Sequence, residues 1–348
     1  MTLLPELELK ITPLIETLWI GKIADADYFS KQYKNYISNS RLSLIDPSKD
    51  GSPEKFFAGF KPIYSSSLEL GSAVHEIALQ SDLFTICDSV DKPTGKVGII
   101  ADKLYSKYKA QTVTYDDVVE VAKEIDYYRG NATENQLKIV YSKCIDYWRD
   151  REQFEGLYNG DKEIIYLDPK TREIAHNCLT AIFSNQYMTK LLKPESDLGE
   201  VIFKNEDAIL LDVEVEIPQL EKKFILSLKS KLDNYSIDTL SNTIVINDIK
   251  TLGKIVSKFN ENIENYSYNR ELAMYSWLLS LVVKKFYNME NPTIKGNYLV
   301  VSTIPSYYTK IVPMTSKMYK EGWDSFTSLL KLVAYYVATE YKDFGRWI

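Results

Sequence analysis

Asp248 and Lys250 stand two positions apart at the end of the run Thr243-Ile244-Val245-Ile246-Asn247. β-Branched residues at that density, closed by Gly253, read as a strand. Side chains alternate across a strand, so Ile244, Ile246, Asp248 and Lys250 share one face. A second carboxylate, Asp233, ends another strand-like run over 224 to 232, and the polar stretch 234 to 242 would join the two runs as a hairpin. Two acids and an ammonium at one sheet edge can hold a divalent cation and orient an attacking water. The competing reading of any Asp-x-Lys on a strand is an exposed ion pair with no chemistry.

Other elements must bring further groups to that edge. His75, one of two histidines, lies on a helix predicted over 68 to 79, with a serine cap from Ser65-Ser66-Ser67 and an apolar face of Val74, Ile77 and Ala78. Gly71, one turn earlier, would let neighbouring backbone approach beneath the imidazole. A lone helical histidine is more often structural or solvated than a ligand. Residues 7 to 36 read as one or two helices, and Ser38 or Ser40 as a helix N-cap. Two amphipathic helices are expected over 113 to 158, joined near Gly130, with a capping box opening at Thr133. A third, over 170 to 192, contains His176, which reads as structural.

From Gly199 the period changes to two. Strands are expected over 200–204, 208–217, 223–232, 243–250, 297–304 and 308–313, a long helix over 259–287 and a last one over 315–340. With no repeat or linker, the pattern predicts one α/β domain over 1–348. Its parts are a helical extension (1–60), a segment with the His75 helix (61–112), a helical insertion (113–195) and a catalytic sheet with flanking helices (196–348).

Composition narrows the class. Of 348 residues 45% are hydrophobic and 26% charged, which suits a globular protein. Forty-two basic residues against 48 acidic ones leave a net charge of −6, which excludes a broadly basic nucleic-acid coat and permits a locally positive groove. Tyrosine, at 26 residues, supplies core and rim aromatics and some that could stack on bases. No apolar run is long enough for a bilayer, the one at 277 to 283 ending in Lys284-Lys285, so no membrane is expected. Met1-Thr2-Leu3-Leu4-Pro5-Glu6 lacks the basic and apolar regions of a secretory signal, and the scattered Cys87, Cys144 and Cys178 read as buried reduced thiols. Both point to the cytoplasm. Thr94-Gly95-Lys96 is no phosphate loop, since Val90 stands where a glycine is required and Val97 follows the lysine.

The helix after the Asp248 strand carries Glu271 and Tyr275 four apart, on one face. In order the chain shows Gly71-xxx-His75, Asp233, Asp248-Ile249-Lys250-Thr251 and Glu271-xxx-Tyr275. This set resembles the PD-(D/E)XK nuclease superfamily, in its RecB-like branch, and within it the exonuclease domain of the RecE (exodeoxyribonuclease VIII) type found in phages. Ile37-Ser38-x-Ser40-x-Leu42, Gly71-Ser72-Ala73-Val74-His75 and the Gly322-Trp323 helix carry it further, over about 35 to 340. The resemblance implies a restriction-endonuclease-like core with a mixed central sheet, and Mg²⁺ or Mn²⁺ held by His75, Asp233, Asp248 and the Ile249 carbonyl. Lys250 would sit at the scissile phosphate, with Asp248 and Asp233 as its catalytic partners. Tyr275, Thr251 and the residue at 271 would contact DNA or support those that do.

Glu271 departs from the family's Gln and is an acceptor only, which leaves it a hydrogen-bonding role. Glu206, Glu214 and Glu216 are candidates for a second metal or support, against a plainer reading as solvated acids. Four clustered cysteines, as in iron–sulfur nucleases, are absent from the sequence. By the same resemblance the substrate is linear double-stranded DNA with free ends, cut 5′ to 3′ in phage-type recombination. The expected partners are a single-strand annealing protein and further copies of the chain in a ring. A nuclease fold that binds DNA without cutting it, and an endonuclease, are the alternatives.

Overall fold

Alternation at period two from residue 201 onward becomes, in the computed structural model, four long strands and one short one of a single sheet. The structure describes residues 8–59, 65–108, 113–194 and 201–348. The readings made on residues 1–6, at Gly199 and on the start of the 196–348 segment fall outside them. In chain order the strands are β1 (Lys10–Pro13), β2 (Trp19–Lys22), β3 (Phe84–Ile86), β4 (Glu163–Ile165), β5 (Val201–Ile217), β6 (Lys222–Asp238), β7 (Thr243–Leu252), β8 (Thr293–Ser302), β9 (Thr309–Pro313) and β10 (Arg346–Trp347).

Two compact units divide the chain. One comprises Met1–Lys61, Asn185–Ile304 and Tyr308–Ile348, the other Pro62–Ser184 and Pro305–Tyr307. The first is a mixed α/β layer structure. Its sheet runs β1-β5-β6-β7-β8-β9, with β2 beside β5 and β10 beside β6, and only β7 and β8 are parallel. A parallel pair needs a crossover, here carried by the helices Phe259–Tyr266 and Tyr268–Tyr287. Leu272, Leu278, Leu279 and Val282 of the second helix join Phe326, Leu330, Val333 and Val337 of the helix Ser316–Thr339 in the core. The two helices pack closely at Gly322, where a Cβ would run into the Asn269 carbonyl.

Four expectations change. The helix expected over 170–192 ends at Ser184, and a separate one, Gln186–Leu192, starts after Asn185, whose side chain caps it. In place of one or two long helices, the described part of 7 to 36 holds β1 and β2 with single helical turns at Ile15–Thr17, Asp25–Tyr28 and Lys31–Tyr33, because Leu9, Ile11 and Ile20 pack on the core along the outer edge of β5, whose backbone would otherwise lack partners. The 259–287 helix breaks at Ser267, which takes a left-handed conformation (φ 55°). β6 continues to Asp238, five residues beyond Asp233, so Asp233 lies inside the strand instead of at its end. Ser38 does cap its helix, accepting from the Arg41 N–H at 3.2 Å. Arg270, wholly buried, ties that N-terminal segment to the core. It donates to Asn39 Oδ1 at 2.8 Å, to Ser43 Oγ at 2.6 Å and to Asp46 Oδ2 at 2.9 Å.

The second unit holds the helices Ser66–Gln80, Lys96–Tyr108, Tyr115–Glu124, Glu134–Leu157 and Pro169–Ser184, with β3 and β4 as a small parallel pair. The helical insertion expected over 113–195 belongs to it as far as Ser184. Thr133 and Gln136 close the expected capping box, and all three cysteines are buried and form no disulfide among the described residues. His176 lies at the surface, 2.8 Å from Asp88. No described helix is long and apolar enough to cross a membrane.

Gly322→Ala should destabilise the protein by about 1–3 kcal/mol, because the added methyl must push two helix backbones apart. Denaturant unfolding checks this, and an unchanged midpoint would show that the helices can separate at no cost.

Candidate active site

β6 and β7 pair from Asp238↔Thr243 to Asn234↔Asn247 and then part, β6 staying with β5 and β7 with β8. Just past the last paired position stand Asp233 and Asp248, close enough for the charge of Asp233 to act on Asp248. On the other flank of β6, the ladder with β5 skips the positions between Asn205↔Asn234 and Asp207↔Leu232, which are Glu206 and Asp233. Three carboxylates from three neighbouring strands therefore stand in a row where the sheet forks. Glu206 is left-handed (φ 51°), a conformation that costs a non-glycine residue about 1–2 kcal/mol.

At the fork the Ile249 N–H donates to Asp233 Oδ2 at 2.8 Å. An extended residue points its N–H and C=O to the same edge, so the Ile249 carbonyl also faces the fork. Lys250 Nζ donates to Asp248 Oδ1 at 3.0 Å and to Glu271 Oε2 at 3.2 Å, and lies 4.6 Å from the ring centre of Tyr268. The Tyr275 hydroxyl donates to the other oxygen of Glu271 at 3.2 Å. Lys231, two residues before Asp233, is 2.9 Å from Glu206 and also pairs with Asp25.

Behind the acids runs a chain of amides. Asn297 Nδ2 donates to Asn247 Oδ1 at 3.0 Å, Asn247 to Asn234 Oδ1 at 2.7 Å, and Asn234 to Asn205 Oδ1 at 2.7 Å. All four are cross-strand partners on β8, β7, β6 and β5. The remaining N–H groups of Asn247 and Asn234 reach the carbonyls of Leu191 and Leu192, each at 3.0 Å, at the end of the helix Gln186–Leu192. The alternation of a strand puts these amides on the opposite face from Asp233 and Asp248.

Burial dominates the electrostatics. Asp248 is 2% exposed. Desolvation, helped by Asp233 and Glu271 and opposed by Lys250, holds its carboxyl well above the usual range. Burial with Glu206 and Glu271 outweighs Lys250 and the Ile249 N–H at Asp233, whose pKa is pushed up to about 7. Burial works against the charge on Lys250 too, but Asp248, Glu271 and Asp233 prevail and keep it an ammonium. Lys250 is thus a donor at neutral pH and not a base.

Asp248 Oδ2 and the Tyr298 hydroxyl are buried with no hydrogen-bond partner among the described residues. Lys250 Nζ, 2.8 Å from Oδ2, meets that oxygen as a charge, its hydrogen bond going to Oδ1. Asp248 and Tyr298 are paired positions on β7 and β8. Acids in excess over ammonium, with an oxygen that accepts no hydrogen bond, form a donor set that suits a hard divalent cation.

Of the residues singled out from the sequence, Asp233, Asp248, Ile249, Lys250, Glu271 and Tyr275 come together. Tyr275 is 7% exposed, so its ring supports Glu271 and presents little surface to DNA. Thr251 faces the opposite side of β7 from Lys250. Glu214 pairs with Lys223 at 3.0 Å, a surface role. His75 lies on the helix Ser66–Gln80 of the second unit. Sequence reasoning passed over Tyr268, Tyr298 and the four asparagines. A signal existed: asparagine is poor in strands, yet one stands beside an acid or Tyr298 in each of four strands.

No protein-family model matches the sequence, and no curated protein matches it. Among solved structures, a Eubacterium rectale protein bearing the name "Putative exonuclease" is similar at 11% identity and a TM-score of 0.45, over 91% of this chain and 87% of its own. Protein VC1899 from Vibrio cholerae aligns at 10% identity and a TM-score of 0.19, over 91% of this chain and 64% of its own. Both likenesses are too loose to establish an activity.

Asn247→Ala would leave the Asn234 carbonyl, the Asn297 amide and the Leu191 carbonyl short of a partner and should cost about 2–4 kcal/mol of stability, while Asn297→Ala, at the half-buried end of the chain, costs less. Equal losses in urea unfolding would argue against the ladder.

Asp233 also sets a pH dependence. Its native pKa lies above the unfolded value, so the folded state binds its proton more tightly. That contribution is complete below the unfolded pKa of 3.8 and is lost as pH rises through about 7. In chelator, the unfolding midpoint should therefore fall between pH 5 and pH 8, and Asp233→Asn should flatten the fall. An equally steep profile in the variant would place the titration elsewhere.

Proposed function

We propose that this chain is a metal-dependent deoxyribonuclease built on a PD-(D/E)XK core. The observation that carries the reading is Asp233 and Asp248 together at the fork of the sheet, Asp233 accepting from the Ile249 N–H and Asp248 from Lys250. Asp233, Asp248 and the Ile249 carbonyl would hold the ion, and the family resemblance assigns His75 to it as well. Mg²⁺ or Mn²⁺ bound there would supply Lewis acidity toward the phosphate and a nucleophile near neutral pH.

The chain's own groups do the rest. Lys250 uses two N–H bonds on Asp248 and Glu271 and keeps a third for a phosphoryl oxygen, where its charge offsets the charge that grows in the transition state. Glu271, where the family has Gln, accepts from both Lys250 and Tyr275, so it aims the ammonium instead of touching phosphate. Tyr268 bounds the ammonium on another side. Glu206, paired with Lys231, tunes Asp233 by its charge.

The finer reading follows the RecE-type resemblance: an exonuclease acting on linear double-stranded DNA from the 5′ end, in a homo-oligomeric ring, alongside a single-strand annealing protein in the host cytoplasm. A fold that only binds DNA is the second reading, and the intact set of Asp233, Asp248 and Lys250 weighs against it.

End-labelled linear DNA should be degraded with Mg²⁺ or Mn²⁺ while closed circular DNA survives. Asp248→Ala and Lys250→Ala should each lower the rate at least about 100-fold, as loss of a transition-state group does. His75→Ala should raise the Mn²⁺ requirement at least about tenfold. Cutting of the circle would make the protein an endonuclease, and DNA binding without cutting would leave a binding module.

A further inference from the structure

Tyr266 ends its helix and is 60% exposed. Its ring lies 5.6 Å from that of Tyr268 and within 25° of parallel. Tyr268 in turn lies 5.9 Å from Phe259 at 19°, and 4.6 Å from Lys250 Nζ. In an unbroken helix, side chains two apart point to widely different directions, about 200° around the axis. The two tyrosines come parallel because Ser267 between them is left-handed (φ 55°) and turns the chain. The interruption of the helix thus builds a ring stack that starts at the proposed catalytic ammonium and ends in solvent. Lys49 adds a cation to the same helix, its Nζ 2.6 Å from the Glu264 carbonyl, two residues before Tyr266.

We propose that Tyr266 is a stacking platform for an unpaired nucleobase next to the phosphate that Lys250 contacts. The proposal rests on the reading of the site as a DNA phosphodiesterase and adds to it the residue that holds the substrate's base. Every base offers a π-face, so such a platform grips without reading sequence. The steps from Nζ to Tyr268 and from Tyr268 to Tyr266 keep the base close to the held phosphate. An aromatic there would favour ends that fray.

The test uses the full chain and a short duplex carrying 2-aminopurine in a one-nucleotide overhang, at either end in turn, with Ca²⁺ to allow binding without turnover. Wild type should quench the 2-aminopurine emission on binding. Tyr266→Ala and Tyr266→Leu should abolish the quench and weaken binding on the order of tenfold, while Tyr266→Phe keeps both. With Mg²⁺, the loss in Tyr266→Leu should fall on KM, with kcat within about twofold of wild type. Leucine keeps apolar contact with Tyr268, so a folding defect in the alanine variant leaves the test intact. A wild type without quench, or a Tyr266→Leu protein that quenches like wild type, overturns the proposal. A Tyr266-dependent quench in a protein that cuts no DNA would leave the platform standing and remove the nuclease reading.

Discussion

Four asparagines hydrogen-bonded in series across β5, β6, β7 and β8 are the constraint on which the rest of the first unit depends. Slipping a strand by one residue turns every side chain to the other face. Here such a slip would carry Asp233 or Asp248 to the opposite face of the sheet. It would also leave buried amides with nothing to bond, each at a cost of about 1–3 kcal/mol. Asn234 and Asn247 are fully buried, so that penalty applies in full. Hydrophobic side chains specify which face is buried, whereas the amides specify the register.

A register held that firmly permits an arrangement that is unfavourable by itself. Glu206, Asp233 and Asp248 sit side by side where the sheet forks, and burial raises the carboxyl pKa of both aspartates. Lys250 relieves part of the repulsion and is itself pinned by Asp248 and Glu271. A Gln at 271 would accept from Lys250 but bring no charge. The glutamate contributes to keeping the lysine an ammonium despite its burial. The acid at this position belongs to the charge balance of the site.

Much of this was legible in the chain. The period-two alternation after residue 201 marked the sheet strands, and the Asp-x-Lys spacing placed both groups on one face. The serine and threonine caps at Ser38, Ser65 and Thr133 follow from local hydrogen bonding and appear where expected. Other features depend on partners distant in sequence. β1 and β2 are strands because β5 offers an open edge, and their own residues do not demand it. The break at Ser267 answers to what surrounds it, since nothing in Tyr266-Ser267-Tyr268 forbids a helix.

By itself the sequence determined residue type and spacing: which acids and which lysine could meet, and on which face of a strand each would lie. These follow from chirality and from the geometry of an extended chain, which are local. Only the tertiary structure decided that β6 runs past Asp233, that the carboxyl of Asp233 accepts from the Ile249 N–H, that Glu271 accepts from Lys250, and that four amides lock the strands beneath. Each of those is a pairing between segments far apart in the chain. Its free energy depends on burial and register, which no single segment contains.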